Sequence, residues 1–236
     1  MHTRLKEYRF RSAEYDREII RYSWGDATFL ELALTFKPHA YLCHATALLL
    51  HGLASPDPRT IYLNVEQSAK EPESDALAQE AINRAFAAKQ RQSNLAYKSA
   101  GVSIVMVSGK NTKRLGVTEL NVAGKGLAVT NLERTLIDIV VRPTYAGGVD
   151  QLLKAYAAAK NRVSVTTLVA TLRMLNYIYP YHQSIGFLME RAGYHEPALR
   201  ELETLGLKYD FYLAHKMSRP RYSKDWRLYF PREWSP

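Results

Sequence analysis

The amino-acid sequence predicts a protein of the α/β (α+β) class, in which a mixed β-sheet carries helices and follows a short helical part. Residues 102–107 are a run of β-branched and apolar residues, which is typical of a central strand. The region after Gly148 is rich in Leu and Ala at helical spacing, and Gly193 and Gly206 mark the ends of two of its helices. Strand-like and helix-like segments alternate in between, which indicates a sheet covered by helices.

The first part of the chain, residues 1–54, is predicted to be helical. Its helices are expected at residues 13–21, 27–36 and 44–51. Asp26 is a candidate N-cap for the second helix, and Gly52 closes the third. The Ser-Pro-Asp-Pro sequence at 55–58 then predicts a turn, where the second part begins.

The second part, residues 55–236, is predicted to be the α/β domain. Strands are expected at residues 61–65, 102–107, 117–122, 127–129, 209–213 and 226–230. Helices are expected at residues 74–88, 150–160, 166–175, 180–192 and 197–205. Residues 108–111 are predicted to be a turn.

The bulk composition restricts the class of protein. No apolar run approaches the roughly 20 residues that span a bilayer, and no apolar stretch follows the first charged residues as in a signal peptide. The lone cysteine, Cys43, excludes an internal disulfide and a cysteine-based zinc site. We therefore expect a cytoplasmic protein that does not bind membranes. The net charge of +9 favours a nucleic acid or an acidic protein as partner.

The positive charge is concentrated in a segment that has no acidic residue. Residues 81–118 contain no Asp or Glu. The segment supplies the candidate nucleic-acid-binding residues Arg84, Lys89, Arg91, Lys98, Lys110, Lys113 and Arg114. Residues 216–232 form a second basic stretch. Lysine and arginine side chains of this kind contact the phosphate backbone, so both stretches are candidate interfaces, with a solvated face as the alternative.

The stretch 130–148 is the most distinctive motif. Thr130 and Glu133 have the spacing of a capping box at a helix start. Arg134 and Asp138 are four residues apart and can form an ion pair on a surface or interface of that helix. Arg142 and Pro143 end the helix, and Gly147-Gly148 allows a free turn before the next one. We interpret these residues as a structural motif rather than as an acid–base site.

Residues for catalysis are not assembled into any recognisable pattern. Gly109-Lys110 lacks the remainder of a phosphate-binding loop, and Glu66 lacks the lysine of a nuclease motif. His44 and His51 share a helix face without further ligands, so we predict packing rather than metal binding. The sequence thus predicts a non-catalytic protein without metal or cofactor.

A cluster of tyrosines precedes the helix at 180–192. Residues 177–182 read Tyr-Ile-Tyr-Pro-Tyr-His. We interpret the cluster as a helix entry packed against the sheet, because tyrosine commonly combines core packing with a polar end. The alternative is an anion site at the exposed N–H groups of the helix start.

Several motifs in order resemble the AbiEi family of antitoxins from type IV toxin–antitoxin (abortive-infection) systems of phage defence. The resemblance rests on Cys-His-Ala-Thr-Ala at 43–47, His-Gly-Leu at 51–53, Leu-Glu-Arg-Thr-Leu-Ile-Asp at 132–138, Arg-Pro at 142–143 and Ala-Gly-Gly at 146–148. Residues 181–193, 210–215 and 226–229 are also similar to the family. It covers the chain from about Tyr41 onward.

The resemblance implies a winged helix-turn-helix followed by an α/β domain. It also implies a non-catalytic transcriptional autorepressor that binds operator DNA and opposes a nucleotidyltransferase-like toxin, AbiEii. The sequence departs from the family before Tyr41, where it has two predicted helices and no evident wing, so the winged helix-turn-helix is either reduced or absent. A protein-interaction module of a defence operon, without DNA binding, is therefore the alternative. We expect a monomer or a weak dimer.

Overall fold

A computed structural model describes residues 4–12, 14–69 and 77–234. An eight-stranded mixed sheet is its central element, with strand order β2-β1-β5-β6-β4-β3-β8-β7. The strands are β1 Leu5–Ser12, β2 Glu18–Trp24, β3 Tyr41–Leu42, β4 Thr60–Glu66, β5 Ala96–Ser99, β6 Val102–Gly109, β7 Val117–Val122 and β8 Lys125–Thr130. The pairs β4–β6 and β3–β8 are parallel, and the remaining pairs are antiparallel. The predicted mixed α/β class is confirmed.

The first two helices pack against the large sheet, whereas those of the second half of the chain pack mainly on one another and on a small second sheet. The helices are α1 Phe29–Leu34, α2 His44–Leu50, α3 Gln79–Ala87, α4 Leu132–Val141, α5 Val149–Ala159, α6 Val165–Leu175, α7 Tyr181–Arg191 and α8 Glu196–Glu203. A small second sheet has the order β10-β11-β9, with β9 Phe211–Tyr212, β10 Arg221–Ser223 and β11 Leu228–Phe230. Short 3-10 helices occupy Pro143–Ala146 and Arg232–Trp234.

The buried apolar residues form two cores. The smaller core joins α1 to the sheet through buried aromatic residues, among them Phe10, Phe36 and Tyr97. The larger core contains α2 to α8 together with the small sheet. In the larger core, Gly186 of α7 packs directly against the Trp226 indole, where a Cβ would lie 2.0 Å from a ring carbon. Close approach of helix and ring therefore requires glycine at this position.

The N-terminal part differs from the prediction. The helix expected at 13–21 is wrong, because β1 and β2 form an antiparallel hairpin in which Leu5 pairs with Trp24. Alternate residues of β1 face the smaller core, and Phe10 is fully buried there. β1, β2 and β3 are hydrogen-bonded into the large sheet, which therefore crosses the boundary predicted between residues 54 and 55. The N-cap of α1 is Thr28, which forms a capping box with Glu31, and is not Asp26.

Most elements of the second part lie where the sequence predicts them. The predicted turn at 108–111 is wrong at its start, because Ser108 and Gly109 continue strand β6. The helix predicted from Ser74 is observed only from Gln79, and residues 70–76 lie outside the described residues. Within the described ranges, no helix is long and apolar enough to cross a membrane.

Candidate nucleic-acid interface

The helix start at the motif lies one residue later than predicted. The N-cap of α4 is Asn131, whose side chain accepts a hydrogen bond from the Arg134 N–H at 2.9 Å. The capping box of Thr130 and Glu133 is therefore wrong. Thr130 ends strand β8, where it is fully buried and its hydroxyl contacts that of Thr135 at 2.8 Å. Glu133 instead accepts from the Ser164 N–H at the start of α6.

Arg134 and Asp138 form the predicted ion pair, but it is buried. Arg134 Nε lies 2.7 Å from Asp138 Oδ1, and the two side chains are only 5% and 7% exposed. Burial raises the pKa of the Asp138 carboxyl above its usual value, and the adjacent Arg134 guanidinium opposes that rise. The prediction of a surface or interface pair is therefore wrong, since spacing alone does not report burial.

The same guanidinium fixes the loop between β6 and β7, residues 110–116, which we call the basic loop. Arg134 Nη1 donates to the Leu115 carbonyl at 2.7 Å and to the Thr112 hydroxyl at 3.3 Å. Gly116 has a positive φ of 71°, and a Cβ there would lie 2.7 Å from Arg134 Cβ. The loop can therefore approach the arginine only because residue 116 is glycine.

Glu66, at the end of β4, holds the other side of the basic loop. Its carboxylate accepts from the N–H groups of Thr112 and Arg114 at 3.1 and 3.2 Å. The Tyr41 hydroxyl also donates to it at 3.1 Å. Burial opposes ionisation of Glu66, but these bonds outweigh that effect and lower its pKa. Sequence reasoning missed this role, because nothing near Glu66 in the chain indicates its partners.

Two of the seven predicted nucleic-acid-binding residues bind the protein itself. Lys110 Nζ donates to the carbonyls of Leu175 and Asn176 at 2.9 and 2.7 Å. These bonds give hydrogen-bond donors to carbonyl groups at the C-terminal end of α6. The Arg114 guanidinium donates to the His39 carbonyl and lies 5.6 Å from the centre of the Tyr41 ring. Both cations thus have structural contacts in addition to their charge.

The other five predicted residues are exposed on separate elements. Arg84 is on α3, Lys89 and Arg91 follow that helix, Lys98 is on β5, and Lys113 is at the tip of the basic loop. Lys113 and Arg114 both have positive φ, of 52° and 58°. Such strained backbone persists only where surrounding contacts impose it, and here Glu66 and Arg134 provide them.

A cleft of about 540 Å³, which we call the lysine cleft, joins three segments that the sequence singles out. It is lined by Lys89, Gln90, Gln92, Pro143, Thr144, Gly147, Gly148, Val149, Ala214, His215 and Lys216. Lys89 comes from the acid-free segment, Lys216 from the C-terminal basic stretch and the glycines from the motif. No lining residue is acidic. The arrangement therefore suits an anionic group.

Packing around α3 brings the second lysine to the cleft. The Lys216 N–H donates to the Phe86 carbonyl at 2.7 Å, and the His215 ring stacks on the Phe86 ring at 4.3 Å. Gly147 and Gly148 have φ of 90° and 96°. A Cβ at Gly148 would meet no atom within 4 Å, so this backbone is open to the cleft.

His44 and Cys43 are buried behind the motif and carry no exposed reactive atom. His44 is 5% exposed, its ring lies 5.4 Å from that of Tyr145, and its Nδ1 has no hydrogen-bond partner among the described residues. Burial lowers its pKa to about 3. Burial also raises the pKa of the Cys43 thiol, which disfavours the thiolate. Within the described ranges, no three His, Cys, Asp or Glu residues are close enough to share a metal ion.

Comparisons with known proteins show a fold and no family. No family model matches the chain, and no curated protein sequence matches it significantly. The fold is similar to the crystal structure of the RV2827C protein from Mycobacterium tuberculosis, with a TM-score of 0.55 at 17% identity. The match covers 84% of this chain and 64% of that one, so this chain spans less than two thirds of that protein.

Removing one member of the buried ion pair tests its role. Arg134→Met leaves Asp138 buried and unpaired, and we expect it to lower the free energy of unfolding by about 3–5 kcal/mol. The double variant Arg134→Met/Asp138→Leu recovers much of that loss, yet the amides of Thr112 and Arg114 exchange hydrogen faster because the loop has lost its anchor. Denaturant unfolding and hydrogen exchange measure the two effects.

A matched control is the exposed pair of Arg200 and Glu196, which has the same four-residue spacing. Arg200→Met should cost less than about 0.5 kcal/mol. Loop amides as protected in the double variant as in the wild type would show that Arg134 does not position the loop.

Because the pKa of His44 is low in the folded state, we expect the free energy of unfolding to depend on pH. The folded state keeps the imidazole neutral down to about pH 3, whereas the unfolded state takes up a proton below about pH 6.5. Stability should therefore fall as the pH drops from 6.5, by up to about 1.4 kcal/mol per unit for this group. Burial also lowers the pKa of His182 and of His215, which contribute with the same sign.

Between about pH 7 and pH 5.5, His44→Asn should make urea-derived stability less pH-dependent than in the wild type, because one titrating group is lost. His39→Asn is the control, since His39 is exposed and has the same left-handed backbone, with φ of 59° against 50° at His44. Equal slopes in the wild type and His44→Asn would contradict the assignment.

Proposed function

We propose that this chain is a non-catalytic DNA-binding antitoxin that represses its own operon and counteracts a nucleotidyltransferase-like AbiEii toxin. The antitoxin part rests on the resemblance in the motifs between Cys43 and Gly148. The observation that carries the DNA-binding part is the lysine cleft, which both Lys89 and Lys216 line and whose lining contains no acidic residue.

The cleft fits a phosphate group of the DNA backbone in charge and in backbone geometry. Its two ammonium groups supply the cations that release counterions from DNA. Gly148 is the N-cap of α5 and contributes no side-chain acceptor, and its own N–H and that of Gln151 bond backbone carbonyls. The N–H groups of Val149 and Asp150 have no partner among the described residues, so they can contribute to binding an anion. Lys113 of the basic loop, Arg84 and Arg91 are further exposed cations of the acid-free segment.

A gel shift with DNA from upstream of the protein's own reading frame tests the proposal. Lys89→Glu/Lys216→Glu should weaken binding at least about 10-fold and reduce the slope of log affinity against log salt by about 2, because two phosphate contacts are lost. Lys113→Glu tests the basic loop without disturbing the structural contacts of Lys110 and Arg114. Lys154→Glu/Lys160→Glu, which reverses two exposed lysines outside the cleft, is the charge-matched control for the double variant.

An unchanged affinity in the double variant, or a loss equal to that of Lys154→Glu/Lys160→Glu, would show that the cleft does not bind the backbone. Co-expression tests the antitoxin part separately. Expression of the neighbouring toxin gene alone should arrest growth, and co-expression of this protein should relieve the arrest. Persistent arrest in the presence of the folded protein would refute antagonism. Relief by Lys89→Glu/Lys216→Glu would assign antagonism to a surface other than the cleft.

The β1–β2 hairpin favours the second candidate function, a protein-interaction module. Leu5, Tyr22 and Trp24 are 61%, 59% and 74% exposed. Leu5 pairs with Trp24, and Tyr22 follows on the same face of β2, which is the end strand of the sheet. Apolar side chains grouped in this way mark interaction sites.

The charges of that face suit a protein better than a polyanion. The cations Arg9 and Arg11 lie on it beside the carboxylates Glu7 and Glu18, to which they are paired. The face is therefore close to neutral, in contrast to the lysine cleft. A partner strand or apolar surface meets no excess of positive charge here.

Tyr22→Ser/Trp24→Ser should abolish retention of the co-expressed toxin in a pull-down if the hairpin binds it, and should leave the DNA shift unchanged. Met174→Ser removes an equally exposed apolar side chain, 62% exposed, from α6 and serves as the control. Full retention by the hairpin variant would exclude the hairpin as the interface.

A further inference from the structure

A second cavity, which we call the tyrosine pocket, lies between the end of α6 and the start of α7. Its volume is about 320 Å³. It is lined by Leu172, Arg173, Asn176, Tyr177, Tyr179, Tyr181, His182 and Leu205. The tyrosine cluster noted in the sequence thus lines a cavity, in addition to packing against its surroundings. No lining residue is acidic.

The tyrosine rings that line the pocket are fixed by contacts with neighbouring aromatic rings. Tyr179 packs edge-on against Phe86 at 5.4 Å and stacks on Phe211 at 6.2 Å. Tyr177 and Tyr179 both meet Tyr181 nearly perpendicularly, at 5.5 and 6.1 Å. Rings fixed in this way offer a preorganised surface for a flat aromatic group, because little side-chain entropy remains to be lost.

Polar groups at the pocket add charge and direction. Arg173 is exposed, and within the described residues it forms no ion pair with a carboxylate. His182 Nε2 lies 2.6 Å from the Gly206 carbonyl oxygen, so Nε2 carries the proton and donates it. In the neutral ring, Nδ1 is then a hydrogen-bond acceptor. Arg173 can bind a phosphate, and His182 can accept from an exocyclic amine.

The pocket adjoins the basic loop. Lys110 bonds the carbonyls of Leu175 and Asn176 at the pocket edge, and its ammonium lies 5.7 Å from the centre of the Tyr177 ring. A nucleotide strand that follows the basic loop would therefore pass beside the tyrosines. In a B-form duplex the bases are stacked inside, so duplex DNA cannot fill the pocket unless a base is extruded.

We propose that the tyrosine pocket binds a nucleotide, with its base against the tyrosine rings and its phosphate at Arg173. The nucleotide is either a free mononucleotide or an unpaired residue of a single strand. This inference goes beyond the proposed function, since it assigns a second site away from the lysine cleft.

Isothermal titration of the full chain with adenosine 5′-monophosphate, single-stranded oligoadenylate and inorganic phosphate tests the inference. At least one of the two nucleotide ligands should bind. Arg173→Ala and His182→Gln should each weaken that binding about 5- to 10-fold, as expected for the loss of one hydrogen-bonded contact. Lys154→Ala, on α5 outside the pocket lining, should bind as the wild type. Binding of the mononucleotide identifies a free ligand, and binding of the oligonucleotide alone identifies a strand.

Three results would overturn the inference: no binding of either nucleotide, equal affinity for inorganic phosphate and the nucleotides, or no effect of the two pocket variants. Circular dichroism of each variant checks that it is folded. The duplex gel shift separates this failure from that of the proposed function, because it depends on Lys89 and Lys216. An intact duplex shift without nucleotide binding refutes only the pocket.

Discussion

The buried ion pair between Arg134 and Asp138 is the interaction on which the position of the basic loop depends. The arginine belongs to α4, yet its guanidinium also binds the Thr112 hydroxyl and the Leu115 carbonyl in the basic loop. Desolvation of two charges cancels much of their attraction, so the pair adds little net stability. Its effect is to specify one position of the loop relative to the helix, and Glu66 fixes the same loop from the sheet.

The positive charge of the chain divides into two groups with different tasks. Lys110 and Arg114 donate hydrogen bonds to backbone carbonyls of the protein, and Arg114 also lies over the Tyr41 ring. Lys89, Lys113 and Lys216 point their charge to solvent or into the lysine cleft. The net charge of +9 is unchanged by these contacts, but the side chains of Lys110 and Arg114 are held by the protein itself. Lys89 and Lys216 line the same cleft as Gly147 and Gly148, so the motif contributes backbone to the proposed binding site.

Elements with local signals could be predicted from the sequence, and those that depend on distant contacts could not. The helices closed by Gly193 and Gly206 were predicted within about two residues, because their periodicity and caps lie within each segment. The strand at Glu18–Trp24 was missed, since its partner Leu5–Ser12 must be known before its alternation has meaning. The sequence places the N-cap at Thr130 and not at Asn131, because both side chains can cap a helix. Only the sheet shows that Thr130 still belongs to a strand.

The candidate sites follow the same rule. The spacing of Arg134 and Asp138 predicted their contact but gave no information on its burial. Lys89 and Lys216 are far apart in sequence, and only the packing of Phe86 against His215 brings them to one cleft. The tyrosines of 177–181 were recognised as a cluster, whereas the cavity beside them depends on Leu172 and Leu205 from neighbouring helical segments.

The central claim is that duplex DNA binds the lysine cleft and also contacts Lys113 of the basic loop. Amide chemical shifts of the isotope-labelled protein, recorded while the upstream duplex is added, test it most directly. The account predicts shifts centred on Lys89, Lys113 and Lys216, with the β1–β2 hairpin unchanged. Shifts confined to the hairpin, or none at low salt, would contradict it.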